Sequence, residues 1–418
     1  MTSTGSDAVL PLPVAEGCPL GPPAEYGRLR VEEPVSRVVC PTGITAWLVT
    51  RYADVREVLG DPERFSARPG QLAHAMHHLD ASLPVEMGNF SRMDGPEHLR
   101  FRRFMAPEVT ARKRIEQLQP MVQRIVDGRI DALADVTPPV DLRTMFAQPA
   151  TTAVVAELIG VPEQDYPIFQ SAAEMLVAFD TGTPEFLEAL GPLLGYLHEA
   201  LPSRRAGAAD DAFSRMIRRS DTADEPLADL ELILLATGLL IAGYETTASM
   251  ITYGLLTLLD HPEQFALLRD DPALARNAAN ELVRYLGVGT GLTRQATRDT
   301  QIGGRAVSAG DYVVVSVQSA NRDPDLCAQP DRLDVTRAPS PHLGFGHGPH
   351  QCVGEQLALL EITTVLATLA RRIPSMRLAV PRHDLRLTVD RAVYGPDALP
   401  VTWDAVLPGR PAAFGRFM

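Results

Sequence analysis

The residues with the clearest chemical potential lie near the carboxyl end of the chain, around Cys352. Residues 345–354 read FGHGPHQCVG and fit the pattern F-x-x-G-x-H-x-C-x-G. The glycines let the backbone turn tightly and approach a flat ligand closely, and such a turn aims backbone N–H groups at the cysteine sulfur. Most lone cysteines are small buried hydrophobic residues, but the surrounding pattern makes a functional thiolate the better interpretation of Cys352.

The chain that follows Cys352 adds to this interpretation. We expect a helix to begin at Cys352, and the partial positive charge of a helix N-terminus favours a thiolate. A thiolate held in this way can be the axial ligand of a haem iron, where it pushes electron density toward the metal and promotes O–O cleavage.

A second motif pairs an acid with an alcohol inside a long apolar stretch, at Glu245 and Thr246. A buried polar group needs a hydrogen-bond partner, and a threonine hydroxyl can donate to the carbonyl four residues back, here that of Ala242, which would loosen the helix. Because Gly243 has no side chain, we expect a groove here in which a small ligand and water fit. An incidental polar pair is the alternative interpretation.

The apolar stretch around this motif has two interpretations of its own. From 232 to 259 its only charge is Glu245, and a run of this length would span a bilayer. A charge at that depth in lipid would cost about 3 kcal/mol. We therefore expect the buried helix of a large helical domain and no membrane span, with a single-span membrane protein as the alternative.

Periodicity elsewhere indicates a mainly α fold with a small β-sheet region. Helical patterns dominate the middle of the chain, whereas 46–50, 312–317 and 385–389 have the character of strands. Because these strands come from the N-terminal and C-terminal thirds, the two ends of the chain must meet in space. We expect an irregular N-terminal arm over 1–24 and one interlocked domain over 25–418.

Composition excludes several classes of protein. The chain has 418 residues, of which 45% are hydrophobic and 22% charged, and its net charge is −13. An acidic chain is a poor binder of polyanions, so we expect no nucleic-acid partner. The four cysteines form no CxxC pair, which argues against zinc ribbons and disulfide frameworks. No basic residue precedes Arg28, so we expect a cytoplasmic protein without a secretion signal.

With these motifs, the chain resembles a bacterial soluble cytochrome P450, a haem-thiolate monooxygenase, over nearly its whole length. The resemblance implies the cytochrome P450 fold, one haem b, and the use of O2 to hydroxylate, epoxidise or otherwise oxidise a substrate. No dinucleotide fingerprint is visible, so electrons would come from separate partners, which the resemblance implies to be a ferredoxin and a ferredoxin reductase. A haem protein that does not use O2, such as a peroxygenase or a sensor, is the alternative, against which Glu245 and Thr246 argue.

The resemblance also implies roles for single residues. Cys352 would ligate the iron, with Phe345 and Gly346 in the loop that holds the cofactor. Glu245 and Thr246 would deliver protons during O2 activation. Haem propionates are carboxylates that need cationic or donor partners, and the family's propionate contacts are matched here by His98, Arg102, Arg294 and His350.

A third motif, E-x-x-R, joins Glu281 to Arg284. Alone it would be a common ion pair on a helix surface. In the family this pair meets an arginine from a segment that is matched here by 330–332, in a buried network that holds the cysteine loop. We expect Arg332 to be the third member, although Leu333 stands where the family often has phenylalanine.

The sequence defines the surfaces that bind substrate and electron donor less sharply than it defines the cofactor site. By resemblance, segments at 69–90, 167–185, 235–242, 288–292 and 392–394 line the substrate pocket. Their mainly apolar character fits a medium-sized secondary metabolite of the polyketide or terpenoid type. The cluster of positive charge at 100–114 fits either a ferredoxin docking face or a solvated helix face.

Overall fold

Helices dominate the protein, as the sequence predicts. The computed structural model describes residues 9–13, 20–68, 90–177, 183–207, 209–289, 292–387 and 393–409. The α-helices are α1 (Ala24–Glu32), α2 (Tyr52–Gly60), α3 (Gly95–Val109), α4 (Arg112–Ala134), α5 (Gln148–Ile159), α6 (Tyr166–Val177), α7 (Thr183–Ala206), α8 (Ala212–Asp221), α9 (Asp229–Asp260), α10 (Pro262–Asp270), α11 (Ala275–Leu286), α12 (Val317–Ala320) and α13 (Glu355–Arg372). A π-helical segment, Arg143–Ala147, leads into α5.

The strands are short and form three sheets. They are β1 (Leu10–Pro11), β2 (Val35–Val39), β3 (Thr45–Val49), β4 (Phe65–Ser66), β5 (Val140–Asp141), β6 (Leu292–Ala296), β7 (Thr300–Ile302), β8 (Arg305–Val307), β9 (Tyr312–Val315), β10 (Arg377–Leu378) and β11 (Pro400–Thr402). The sheets have the orders β1-β2-β3-β9-β6-β4, β10-β11-β5 and β7-β8.

The six-stranded sheet joins the two ends of the chain. Its central strand β3 pairs in parallel with β9, and β9 pairs antiparallel with β6. The predicted meeting of the N-terminal and C-terminal thirds is therefore confirmed. Within the stretch predicted as an irregular arm, Leu10–Pro11 adds a short parallel strand beside β2.

The core is built around α9. This helix packs against α5, α6, α7 and α13, and most of its residues from Leu232 to Leu258 are buried. Helix α4 is amphipathic and buries Ile115, Leu118 and Val122. The side chains that could do chemistry on α9 are thus positioned by helices on several sides.

By length and composition, α9 is one helix that could cross a membrane. However, 72% of its most apolar window is buried inside the protein. A bent pair, Arg143–Ile159 with Glu163–Gln170, passes the same test only if it is counted as one span. A core helix of a soluble protein has these properties too, and the contacts of α9 with its neighbours are those of a core helix.

Residues 385–387, the described part of the strand predicted at 385–389, do not form a regular strand. A 3-10 turn occupies Arg382–Asp384, and Leu387 makes only an isolated antiparallel bridge to Pro396. Residues 388–392 lie outside the described part of the chain.

Candidate active site

The loop before Cys352 is a tight turn. Gly346 and Gly348 have φ values of +76° and +72°, in the left-handed region that favours glycine. The N–H of Cys352 donates to the carbonyl of Phe345 at 2.8 Å, which closes the turn. A Cβ on Gly348 would lie 2.6 Å from the carbonyl oxygen of Leu59, so only glycine lets the loop pack against the end of α2.

Backbone donors face the sulfur from the chain that follows it. The Cys352 side chain is accessible, yet protein surrounds it closely. Burial raises the pKa of the Cys352 thiol, while the N–H groups of Gly354 and Glu355 and the charge of Arg102 act to lower that pKa. The expectation that N–H groups would point at the sulfur is met, and the donors come from the residues after Cys352.

The helix beyond this loop begins later than predicted. Gly354 is the N-cap residue of α13 and Glu355 its first residue, so the predicted start at Cys352 is wrong by three residues. The first N–H groups of a helix have no partner within the helix. Because Cys352 precedes α13 by three residues, the first N–H groups of the helix are free to face its sulfur. A cysteine inside the first turn would not allow this contact.

Two of the predicted propionate contacts lie together. His98, on α3, is buried, and its ring centroid is 4.2 Å from that of His350 in the cysteine loop. Burial, with a further contribution from the charge of His350, lowers the pKa of His98 to about 4. The Nε2 atom of His98 and the Nδ1 atom of His350 are buried without a hydrogen-bond partner among the described residues.

Two arginines complete the predicted set. Arg102 extends from α3 and donates from Nη1 to the carbonyl of Gln351 at 2.8 Å. Arg294 lies on β6 and is buried. The Nη1 atom of Arg294 donates a hydrogen bond to the neighbouring carbonyl of Thr293. Burial lowers the pKa of the Arg294 guanidinium to about 10. Within the described residues, no carboxylate is within salt-bridge distance of Arg294.

These residues fit a haem. An accessible thiol with backbone donors aimed at its sulfur suits a thiolate ligand to iron. A buried guanidinium without an anionic partner is unfavourable, and buried imidazole nitrogens without partners are too. Two cofactor carboxylates would satisfy Arg294, His98 and His350 together.

The hydroxyl of Thr246 makes the predicted local bond. It donates to the carbonyl of Ala242 at 2.6 Å. Thr246 and Ala242 are exposed although most of their neighbours on α9 are buried, so this side of the helix faces open space. The helix stays α-helical through this turn, and the predicted loosening is not seen.

The space beside Gly243 is not the expected groove. A Cβ at this position would lie 2.5 Å from Cγ1 of Val155 on α5. The missing side chain therefore allows α5 and α9 to pack closely, and the valine fills the space that we expected for ligand and water. Open space is found instead at Ala242 and Thr246, on another side of α9.

Glu245 lies on a different side of α9 from Thr246. It is buried and forms an ion pair with Arg143 of the π-helical segment. The hydroxyl of Ser249 donates to the same carboxylate at 3.3 Å and accepts from Arg143 at 3.2 Å. The Oε2 atom of Glu245 has no partner among the described residues. The structure therefore separates the acid from the alcohol that the sequence places next to it.

The E-x-x-R network is present, but its third member is Arg337. Glu281 pairs with Arg284 at 2.7 Å and with Arg337 at 3.1 Å. Arg332, predicted for this place, is exposed, and among the described residues its side chain bonds only to Gln329. The prediction is wrong because the irregular chain after 330 turns back before Arg337, which also donates to three backbone carbonyls.

Sequence reasoning missed three residues that hold the site. Arg143 partners Glu245, Asp94 contacts His350 and Arg337 partners Glu281. Asp94 lies four residues, or one helical turn, before His98. This spacing could have indicated that Asp94 belongs to the site. The pairing of Arg143 with Glu245 depends on how α9 packs against the π-helical segment. It could not be predicted from a local sequence pattern.

Comparisons with known proteins identify relatives of this chain. The family model described as Cytochrome P450 matches residues 198–373. Mycinamicin IV hydroxylase/epoxidase of Micromonospora griseorubida is 40% identical over 383 residues, which cover 90% of this chain and 94% of that protein. Pentalenic acid synthase of Streptomyces avermitilis is 37% identical over 409 residues, or 96% of this chain and 100% of that protein.

A solved structure extends the similarity to the fold. The crystal structure of CYP105P1 in complex with filipin I superposes with a TM-score of 0.88 at 40% identity, covering 95% of this chain and 100% of that one. The chain belongs to the cytochrome P450 family. It is a monooxygenase whose cofactor is a haem iron.

Proposed function

We propose that the protein binds haem b through Cys352 and oxidises a medium-sized, mostly apolar secondary metabolite with O2. The observation that carries the cofactor assignment is the Cys352 loop, whose sulfur is accessible and faces the N–H groups of Gly354 and Glu355. When bound, the haem supplies the O2 chemistry. The propionates would be held by Arg102, Arg294, His98 and His350, and Phe345 and Gly346 would shape the loop.

The axial ligand is tested by an optical spectrum. The reduced wild-type protein under carbon monoxide should show the band of sulfur-ligated haem, and Cys352→Ser should lose that band. Cys327→Ser is the matched control, because Cys327 is partly buried and lies in another loop. A histidine-type spectrum for the wild type, or an unchanged band in Cys352→Ser, would overturn the assignment.

We propose that Thr246 and Glu245 both take part in proton delivery, Thr246 directly and Glu245 indirectly. The exposure of Thr246 on α9 supports a role for its hydroxyl in holding water or a proton during the reaction. Glu245 is held by Arg143 and Ser249, so it would act only after this pair opens or through water.

Electrons would come from a ferredoxin and its reductase. Part of the positive cluster is engaged within the protein: Arg100 pairs with Glu231 and Arg112 with Glu116. Arg103 and Lys113 are exposed and have no acidic partner within salt-bridge distance among the described residues. These two side chains are the better candidates for contacts with an acidic iron–sulfur protein.

Charge reversal tests this docking face. Arg103→Glu and Lys113→Glu should slow reduction by a ferredoxin and flatten its dependence on salt. Arg129→Glu reverses a charge on the same helix as Lys113, about 24 Å further along, and should leave reduction unchanged. Equal rates in all three variants would count against docking at Arg103 and Lys113.

The substrate class rests on the relatives and on the mainly apolar composition of the segments that are expected to line the pocket. One relative is named for acting on mycinamicin IV and one structural neighbour is bound to filipin I. Much of the expected pocket, at 69–89, 178–182, 290–291 and 392, lies outside the described residues. A screen of macrolides, polyenes and terpenoids for a shift in iron spin state, followed by product analysis, tests the class. A screen in which only small polar compounds shift the spin state would contradict it.

Two further proposals concern the whole chain. We propose that 25–418 act as one domain, since the six-stranded sheet combines strands from both ends. We also propose a cytoplasmic protein with neither membrane nor nucleic-acid partners, which the burial of α9 and the acidic composition support.

A further inference from the structure

The carboxylate of Asp94, which has no role in the function described so far, connects three parts of the fold. It accepts hydrogen bonds from the hydroxyl of Ser66 at the end of β4 and from the N–H of Ala67 at 3.1 Å. Its Oδ1 atom lies 3.4 Å from Nε2 of His350 in the cysteine loop. Asp94 is also the N-cap residue of α3, which carries His98. A single side chain thus joins β4, α3 and the cysteine loop.

The contact with Asp94 sets the direction of the His350 ring. An ionised carboxylate only accepts hydrogen bonds. Burial alone would raise the pKa of Asp94, but the hydrogen bonds from His350, Ser66 and Ala67 outweigh it and lower that pKa to about 2. Nε2 of His350 is therefore the donor, and Nδ1, on the other side of the ring, is left without a partner among the described residues.

Other contacts of the ring do not fix this direction. The ring of His98 lies against that of His350 with an interplanar angle of 38°, and a ring contact leaves either nitrogen free to face either way. The hydrogen bond to Asp94 distinguishes the two nitrogens. In metal sites, carboxylates behind a histidine orient the ring in the same manner.

We propose that Asp94 is a positioning residue, which acts through His350 to aim the N–H of Nδ1 at a carboxylate of the haem and thereby slows loss of the haem. Held between two carboxylates, the His350 ring would donate from both nitrogens, Nε2 to Asp94 and Nδ1 to the haem. The proposal rests on the proposed binding of haem and adds a residue that does not touch it. The hydrogen bonds from Ser66 and Ala67 fix the carboxylate of Asp94. The strand β4 would therefore contribute indirectly to binding of the haem.

The first experiment measures loss of haem from the purified holoprotein to excess apomyoglobin. Asp94→Asn keeps the size of the side chain and removes its charge, and should speed the loss about tenfold, the effect of one weakened charge-assisted hydrogen bond. Glu97→Gln is the matched control, because Glu97 lies one turn into the same helix and pairs with the exposed Arg68. It should lose haem at the wild-type rate.

A double-mutant cycle separates positioning from general support of the fold. In a His350→Ala background, Asp94→Asn should change the rate of haem loss by less than about twofold, since the ring it orients is gone. The same tenfold effect in both backgrounds would show that Asp94 only stabilises the fold, and would overturn the proposal. No effect in either background would overturn it as well.

A second variant covers the case in which Asp94→Asn yields no holoprotein. Asp94→Glu keeps the charge but moves the carboxylate by one methylene group, and should speed haem loss severalfold; a wild-type rate would contradict the positioning role. Failure of the proposed function is a different result, because the wild-type protein itself would then purify without haem.

Discussion

Arg143 and Glu245 form an ion pair inside the protein, with side chains 6% and 2% exposed. The pair links the π-helical segment to α9. Ser249, one turn after Glu245, bridges both members. A carboxylate that the sequence places beside a proposed catalytic alcohol is thus also part of the packing of α9.

Removing one member of this pair should destabilise the protein strongly. Arg143→Ala leaves a buried carboxylate without its partner, and we expect a loss of about 3 kcal/mol in the free energy of unfolding. Arg124→Ala is the control, since the Arg124–Glu157 pair joins α4 to α5 at the surface and should contribute less than about 1 kcal/mol. Urea unfolding measures both, and similar losses would contradict the assigned importance of burial.

Thr246→Ala should uncouple electron consumption from product formation. The hydroxyl of Thr246 faces open space, and we expect its loss to reduce product per reducing equivalent about tenfold or more. Thr246→Ser should retain most of the coupling. Thr252→Ala removes a hydroxyl with the same bond to the carbonyl four residues back, but a buried one, and should not uncouple. Full coupling in Thr246→Ala would refute its role in proton delivery.

Gly243→Ala should be destabilising on an otherwise apolar helix. The added Cβ would meet Val155 at 2.5 Å, and overpacking of this kind costs about 1–3 kcal/mol. Val155→Ala in the same chain should recover much of the loss. Gly238→Ala, where a Cβ would meet nothing within 4 Å, should raise stability by about 1 kcal/mol through helix propensity. Thermal unfolding of the three variants measures these effects, and equal effects at 238 and 243 would contradict the prediction.

Arg337 and Arg332 should differ in their effect on the network around Glu281. Arg337→Ala removes one of two cations from a buried carboxylate and should cost about 2 kcal/mol. Arg332→Ala alters an exposed side chain and should stay within about 0.5 kcal/mol. Both values come from urea unfolding. If Arg332→Ala proves the more damaging, the network has been assigned to the wrong arginine.

His342 should make the protein sensitive to mild acid. Burial, and then the charge of Arg284, lower the pKa of His342 to about 4, and its Nδ1 accepts from the N–H of Gly344 at 3.2 Å. The unfolded chain takes up this proton near its ordinary pKa of about 6.5. Between pH 6.5 and 4 the unfolded state therefore binds more protons, and stability falls as pH falls, by up to about 3 kcal/mol.

His342→Asn tests this dependence because its amide oxygen can replace the accepting nitrogen. We expect a flatter curve of melting temperature against pH between 6.5 and 4.5. His383→Asn, at an imidazole that is 83% exposed, should keep the wild-type slope. A steep slope that survives in His342→Asn would assign the acid sensitivity to other groups.

Local chemistry was predictable from the sequence, and contacts between distant segments were not. The bond from Thr246 to Ala242 follows from helical spacing alone, and the turn before Cys352 follows from its glycines. The partner of Glu281 could not be chosen, because Arg332 and Arg337 lie five residues apart in irregular chain. The space beside Gly243 was misjudged for a similar reason: only the packing of α5 on α9 brings Val155 there.

The parallel pairing of β3 with β9 has a consequence for synthesis of the protein. Val49 on β3 pairs with Val315 on β9. Strand β3 is therefore synthesised long before the strand with which it pairs. Non-local pairing of this kind is slow. While the ribosome is still translating the middle of the chain, this sheet cannot form and Cys352 does not yet exist. With Cys352 as the proposed ligand, the cofactor would bind after translation is nearly complete, and a nascent chain stalled before 312 should contain no haem.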